Sequence, residues 1–118
     1  MTAQIINGKQ IADELCSKLK KDVENLAINN RFIPGLAVLL VGSDPASVIY
    51  VQNKITKAKE VGINIFEHLI PETVSQRILK AKIENLNNDL RVHGILVQIP
   101  LPRPLDLNEV LDTIDPNK

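Results

Sequence analysis

The chain has no tryptophan, one tyrosine, two phenylalanines, one cysteine and five glycines in 118 residues. Three aromatics (Phe32, Tyr50, Phe66) are too few for a base-stacking platform of the kind that binds single-stranded nucleic acid. Neither charge sign is in excess. Fourteen Lys+Arg against 14 Asp+Glu leave a formal net charge of zero, which argues against a broad polyanion-binding surface. Cys16 stands alone, so neither an internal disulfide nor a Cys-based zinc site can form. It reads as an inert, partly buried thiol on a helix face, compatible with a reducing cytosol. The longest purely apolar run is Leu36–Val41, far short of the roughly 18 residues of a membrane span. Met1-Thr2-Ala3-Gln4 leads into no long apolar stretch, so no signal peptide is read. No two of Gly8, Gly35, Gly42, Gly62 and Gly94 are spaced for a G-x-G-x-x-G fingerprint, and no Walker A loop is present. His68 and His93 are isolated and read as surface or strand-edge residues, not ligands; no metal is expected.

What is abundant is aliphatic. Ile, Leu and Val contribute 15, 15 and 10 residues, about a third of the chain and too apolar for a disordered segment. The length suits one domain with its own core. Ile11, Leu15, Leu19, Val23 and Leu26 recur at helical spacing and predict an amphipathic helix over Gly8–Asn29, closed by Asn29-Asn30. After the Pro34-Gly35 break, Leu36–Val41 is apolar without alternation, the pattern of a strand buried on both faces. Gly42-Ser43-Asp44-Pro45 is a loop. Ser43 or Asp44 can cap a helix from about Ala46 to Val61, stopped by Gly62. Ile63–Leu69 alternates as a second strand. Thr73 or Ser75 can cap a helix carrying Val74, Ile78, Ile83, Leu86 and Leu90. Gly94–Ile99 is a third strand. Pro100, Pro102 and Pro104 then force an extended, non-helical path, and Asp106 can cap a last helix ending near Ile114. The alternation predicts a three-layer α/β domain, a mainly parallel sheet flanked by helices, spanning residues 1–118.

In open parallel sheets ligands bind outside the carboxyl ends of the strands. Two loops qualify, Gly42–Ala46 and Gln98–Pro104. On the helix after the first strand, Val48, Val51, Ile55 and Ala58 form a stripe expected to face the sheet. Ser47, Tyr50 and Lys54 form another, rotated by roughly 80°. Tyr50 and Lys54 are neighbours one turn apart. Such a pair is most often a snorkelling lysine over a ring on a solvated face. Here it lies near the helix start at a strand's carboxyl end and includes the chain's only tyrosine. A ring beside an amine can hold a flat heterocycle while the amine handles protons, and a lysine used as a base needs its pKa lowered toward neutrality. Gln98 interrupts the apolar third strand. Its amide either pairs with loop backbone or orients Lys54 or a ligand.

At these residues the sequence resembles the amino-terminal, catalytic domain of bifunctional methylenetetrahydrofolate dehydrogenase/methenyltetrahydrofolate cyclohydrolase. The resemblance rests on Pro34-Gly35-Leu36-Ala37-Val38, on Val41 through Ser47, on Tyr50-Val51-Gln52-Asn53-Lys54 leading to Val61-Gly62-Ile63, and on Gly94 through Pro102. It implies oxidation of 5,10-methylenetetrahydrofolate with NADP, or NAD in some members, then hydrolysis of the methenyl product to 10-formyltetrahydrofolate. It further implies Lys54 as the catalytic lysine, Tyr50 as the residue stacking on the folate ring, and Gln98 as the residue positioning the lysine. Ser47, Val97, Ile99 and Pro100 are implied as lining the folate cleft. Ile99 stands where leucine is common in the family.

The family continues past the segment matching Pro116-Asn117-Lys118 into Asp-Val-Asp-Gly and an NAD(P)-binding domain. The expectation is therefore that NADP is held outside this chain, with no cofactor residue within it. The resemblance also implies a cytoplasmic enzyme of one-carbon metabolism, commonly a homodimer, with a small-molecule folate substrate and neither nucleic acid nor membrane as partner. Two alternatives remain open at this point. One is a non-catalytic remnant or interaction module keeping the folate-pocket fold, which the reading frame beyond Lys118 would separate from the enzyme. The other is a receiver-like phosphate-binding domain using Gly42–Ser47, disfavoured because no acidic cluster sits at the strand ends.

Overall fold

The computed structural model describes residues 2–118. The elements run α1 (Gly8–Asn30), β1 (Gly35–Val41), α2 (Pro45–Val61), β2 (Asn64–Ile70), α3 (Gln76–Asn87), β3 (Gly94–Val97) and α4 (Leu107–Thr113). The three strands form one parallel sheet in the order β2-β1-β3. Gly35–Val41 pairs along its length with Asn64–Ile70, and Leu36–Leu39 pairs with Gly94–Val97. β1 is therefore central, which explains its unbroken apolar run: each face needs a cover. Ala37, Leu39 and Val41 join Leu79, Ile83, Leu86 and Val110 of α3 and α4 on one face. Val38 and Leu40 join Val51 and Ile55 of α2 on the other.

The caps follow local chemistry. Asp44 closes α2, accepting from the Ser47 backbone N–H at 3.0 Å, with Pro45 as the first helical residue. Ser75, rather than Thr73, caps α3, and Asp106 caps α4. Gly62 ends α2 at φ 93°, a left-handed conformation that glycine adopts without strain. α1 runs through Asn29-Asn30 and turns at Arg31 instead, at φ 52°.

Three expectations need correction. The stripe facing the sheet from α2 contains Ser47 (2 % exposed) and not Val48 (36 %). The cap fixes this: Ser47 must lie in the first turn where Asp44 reaches it, and that position faces inward. In α3 the core residue is Leu79, fully buried, while Ile78 is exposed. Val74 and Leu90 fall outside the helix, and Leu90 is 91 % exposed. Leu79, Ile83 and Leu86 have true helical spacing, whereas Ile78 to Ile83 does not. Truncating Leu79 to alanine is accordingly expected to cost about 2–5 kcal/mol of unfolding free energy, and Ile78→Ala less than about 1 kcal/mol. Urea denaturation of both variants checks this, and equal losses would contradict the assignment. Third, β3 ends at Val97, because Gln98 leaves the ladder after one last bond, its N–H to the Leu39 carbonyl at 2.9 Å.

α1 is a helix, as its apolar spacing predicts. Its apolar stripe is mostly uncovered: only Val23 is buried, over Gly62 of the α2 turn, while Ile11, Leu15, Leu19 and Leu26 are exposed. Periodicity reports an apolar face but not what lies on it. Cys16 is partly buried, as expected.

The turn before β3 is held by charge. Arg91 donates two side-chain bonds to Asp89, at 2.7 and 3.1 Å, and lies 5.1 Å from the Phe66 ring centre. Bonds from the Arg91 side chain and backbone pull the Asp89 carboxyl down to about 2. The proline segment after β3 is non-helical, as expected, with cis bonds at Ile99-Pro100 and Arg103-Pro104 and a turn in which the Leu105 N–H donates to the Pro102 carbonyl at 3.1 Å. No helix among the described residues is long and apolar enough to cross a membrane.

Candidate active site

α2 lies over β1, so its two flanks look toward β3 and toward β2. Residues 40° apart on the β3 flank are Tyr50 and Lys54. From that flank the Lys54 ammonium donates to the Gln98 side-chain oxygen at 2.7 Å, joining residues 44 positions apart. Gln98 is almost fully buried at 7 % exposure, so its amide must find partners. It does: Oε1 accepts from Lys54, and Nε2 donates to the Ile99 carbonyl at 2.9 Å. The amide orientation follows from chemistry, since an ammonium can only donate and a carbonyl only accept. On the opposite flank Gln52 donates to Glu67 of β2 at 3.3 Å, so α2 is tied to both neighbours of β1.

Tyr50 presents its ring one turn before Lys54 on the same helical face, 56 % exposed. An exposed aromatic face beside a fixed amine is suited to stacking a flat heterocycle and exchanging protons with it. Lys54 itself is solvent-accessible, with its head group tethered.

The other expected residues are placed differently. Ser47 is buried under α2, its hydroxyl donating to Asp44 at 3.0 Å; its contacts are those of a cap. Val97 packs in the core on the α3–α4 side of the sheet, away from α2. Ile99 is half exposed and contributes its carbonyl to Gln98. Pro100 lines a cleft of about 310 Å³ at the carboxyl edge of the sheet, together with Gly42–Asp44, Glu72, Leu101 and Pro102. Glu72 was not expected there. The strand-end rule applied to the second strand would have found it, because the β2–α3 loop opens at the same edge. A larger hollow of about 610 Å³ is lined only by side chains of α1 and Asn7. With no second element converging on it, it offers no site.

The N-terminus of α2 does not fit the phosphates of a dinucleotide. In a strand–loop–helix unit the phosphates sit at the helix N-terminus. Here that position at α2 is filled by the Asp44 carboxylate, bonded to both the N–H and hydroxyl of Ser47, and a second anion would be repelled. No group of three or more metal-ligating side chains is gathered among the described residues.

Fold and site together define a parallel α/β domain with an amine and a carboxamide joined at one sheet edge and an open aromatic ring on the same helical face. Comparison with known proteins is specific about which. The tetrahydrofolate dehydrogenase/cyclohydrolase catalytic domain matches residues 6–118, and the chain belongs to that family. It is 47% identical over 116 residues to the bifunctional protein FolD of Brucella anthropi and, equally, to that of Brucella ovis. These matches cover 98% of this chain but 39% of each relative, so the chain spans about two fifths of their length. Among solved structures it superposes on a 5,10-methylenetetrahydrofolate dehydrogenase of the silkworm Bombyx mori with a TM-score of 0.94 at 36% identity, covering 98% of this chain and 40% of that one. The Trypanosoma brucei methylenetetrahydrofolate dehydrogenase-cyclohydrolase, complexed with NADP and an inhibitor, gives a TM-score of 0.91 at 30% identity, with 98% and 40% covered.

Proposed function

We propose that this chain is the folate-binding catalytic domain of an enzyme that oxidises 5,10-methylenetetrahydrofolate to the 5,10-methenyl form with NADP, then hydrolyses it to 10-formyltetrahydrofolate. The observation that carries the reading is the Lys54–Gln98 hydrogen bond beside an exposed Tyr50 in a member of this family.

The geometry supports the hydrolytic step. The methenyl carbon is an amidinium-like cation, and water adds through oxygen while losing a proton. The carbon–nitrogen bond to the ring then breaks, its electron pair stays on nitrogen, and nitrogen takes a proton. One further proton is released overall. Lys54, neutral when it accepts and charged when it donates, can serve both transfers without moving, because Gln98 holds its nitrogen in place. Tyr50 stacks on the heterocycle and Pro100 walls the cleft. Ser47, Val97 and Ile99 shape the site from behind, as cap, core and amide partner. NADP is assigned to protein beyond these 118 residues, consistent with relatives more than twice as long. The same reading makes the whole enzyme a cytoplasmic homodimer acting on a small-molecule folate.

The test is a titration of the 118-residue chain with tetrahydrofolate, followed by residue-resolved NMR. Perturbations are expected at Tyr50, Lys54, Gln98 and residues 100–102, with no NADP-dependent turnover by this piece alone. Perturbations confined to another surface, or saturable NADP-dependent turnover, would overturn the assignment.

A further inference from the structure

Three loops wall the cleft at the carboxyl edge: β1–α2, β2–α3 and β3–α4. They come close together. A Cβ on Gly42 would lie 3.4 Å from the Pro102 ring and 3.8 Å from Glu72 Cβ. The β3–α4 loop carries Gln98 at its start and three prolines after it, and has no strand or helix of its own until Asp106. Upstream it is anchored by the bond from the Gln98 N–H to Leu39. Downstream the anchor is a side chain the catalytic reading does not use. Gln76, the first residue of α3, accepts from the Asp106 N–H at 3.0 Å and donates to the Asp106 carbonyl at 3.2 Å. The amide thus pairs with both backbone polar groups of one residue, as a strand partner would.

We infer that Gln76 is a positioning residue for the folate cleft. It sits where the β2–α3 loop, carrying Glu72, enters α3, and it grips the point where the β3–α4 loop enters α4. One side chain therefore ties together two of the three walls, whose apolar residues Val74, Leu101 and Leu105 also pack on the core. This rests on the folate reading above. The structure supplies its own control. Asn87, at the other end of α3, makes the same kind of clamp, donating to the Thr113 carbonyl at 2.8 Å and accepting from the Asp115 N–H at 3.0 Å. Because α3 runs against the strands, that clamp lies at the amino edge, away from the cleft.

The experiment compares Gln76→Ala, Gln76→Glu and Asn87→Ala with the unsubstituted chain, by amide hydrogen exchange and tetrahydrofolate titration. In Gln76→Ala the Asp106 amide is expected to exchange about tenfold faster, with β1 and α2 unchanged. Tetrahydrofolate affinity is expected to fall about fivefold. Gln76→Glu keeps the acceptor but turns an anionic oxygen toward the Asp106 carbonyl and the Glu109 carboxylate, which the Gln76 amide now reaches at 3.4 Å, and is expected to lose at least as much affinity as Gln76→Ala. Asn87→Ala leaves affinity unchanged. Unaltered exchange at Asp106, uniform acceleration through the chain, or equal affinity losses in the Gln76 and Asn87 variants would each overturn the inference. If the unsubstituted chain binds no tetrahydrofolate, the folate reading fails and takes the ligand role of Gln76 with it, while the exchange data still decide the clamp.

Discussion

Replacing Lys54 with methionine in the whole enzyme carrying this domain is expected to slow hydrolysis of 5,10-methenyltetrahydrofolate by about 10²–10⁴-fold, the range for loss of a positioned acid–base group. Methionine keeps the unbranched stem and removes the transferable proton. Lys54→Arg is expected to do nearly as much harm, because a guanidinium keeps the charge and a donor for Gln98 but does not deprotonate. The pair of variants separates proton transfer from simple cation placement. Folate binding should survive in both, since Tyr50 and the cleft are untouched. The fold should survive too: the lysine is exposed, and leaving the Gln98 oxygen unpartnered costs about 1–3 kcal/mol. Single-turnover loss of the methenyl chromophore measures the step directly. A rate close to that of the unsubstituted enzyme would remove Lys54 from the mechanism.

The most damaging single methyl in the chain is expected at Gly35. A Cβ there would lie 1.9 Å from the Arg91 carbonyl oxygen and 2.9 Å from the Phe66 ring. The first of these is backbone and cannot swing aside. The glycine is also bonded on both sides to the turn before β3: its N–H donates to His93 Nδ1 at 2.9 Å, and its carbonyl accepts from the His93 N–H at 2.8 Å. Any retreat of β1 breaks this pairing and shifts the register that places Gln98 against Leu39. Gly35→Ala is therefore expected to cost more than about 3 kcal/mol, above the usual range for a small overpacking change. Gly8→Ala, with nothing within 4 Å of the added atom, should be neutral or slightly stabilising. Equilibrium denaturation of the two variants provides the comparison. A Gly35→Ala chain within about 1 kcal/mol of the parent would show that the close approach does not exist.

Where the sequence reading succeeded, the signal was local. Leu36–Val41 declared a doubly buried strand because it lacked alternation, and Asp44-Pro45 and Gly62 marked the ends of α2 through cap chemistry. Where it failed, a second local requirement competed with hydropathy. Ser47 displaced Val48 from the buried face because the Asp44 cap dictates which residue occupies that turn. The α3 face was misread although Leu79, Ile83 and Leu86 showed it. The α1 stripe is a helical stripe, as its spacing predicts, and spacing alone does not say whether anything covers it.

Lys54 and Gln98 stand out in the sequence as an amine one turn from the only tyrosine and an amide in an apolar strand, and their pairing is one of two alternatives there, implied further by the family resemblance. That they meet was a matter of strand order. With β3 beside β1 on one flank of α2, the two side chains converge; with β2 and β3 exchanged, Lys54 would face Glu67 and Gln98 would lose its ammonium. Residue types and periodicities specify elements and their ends because those depend on neighbours within a few positions. Which elements lie side by side depends on how the whole chain buries its apolar faces, and only that choice brings residues 44 apart to 2.7 Å.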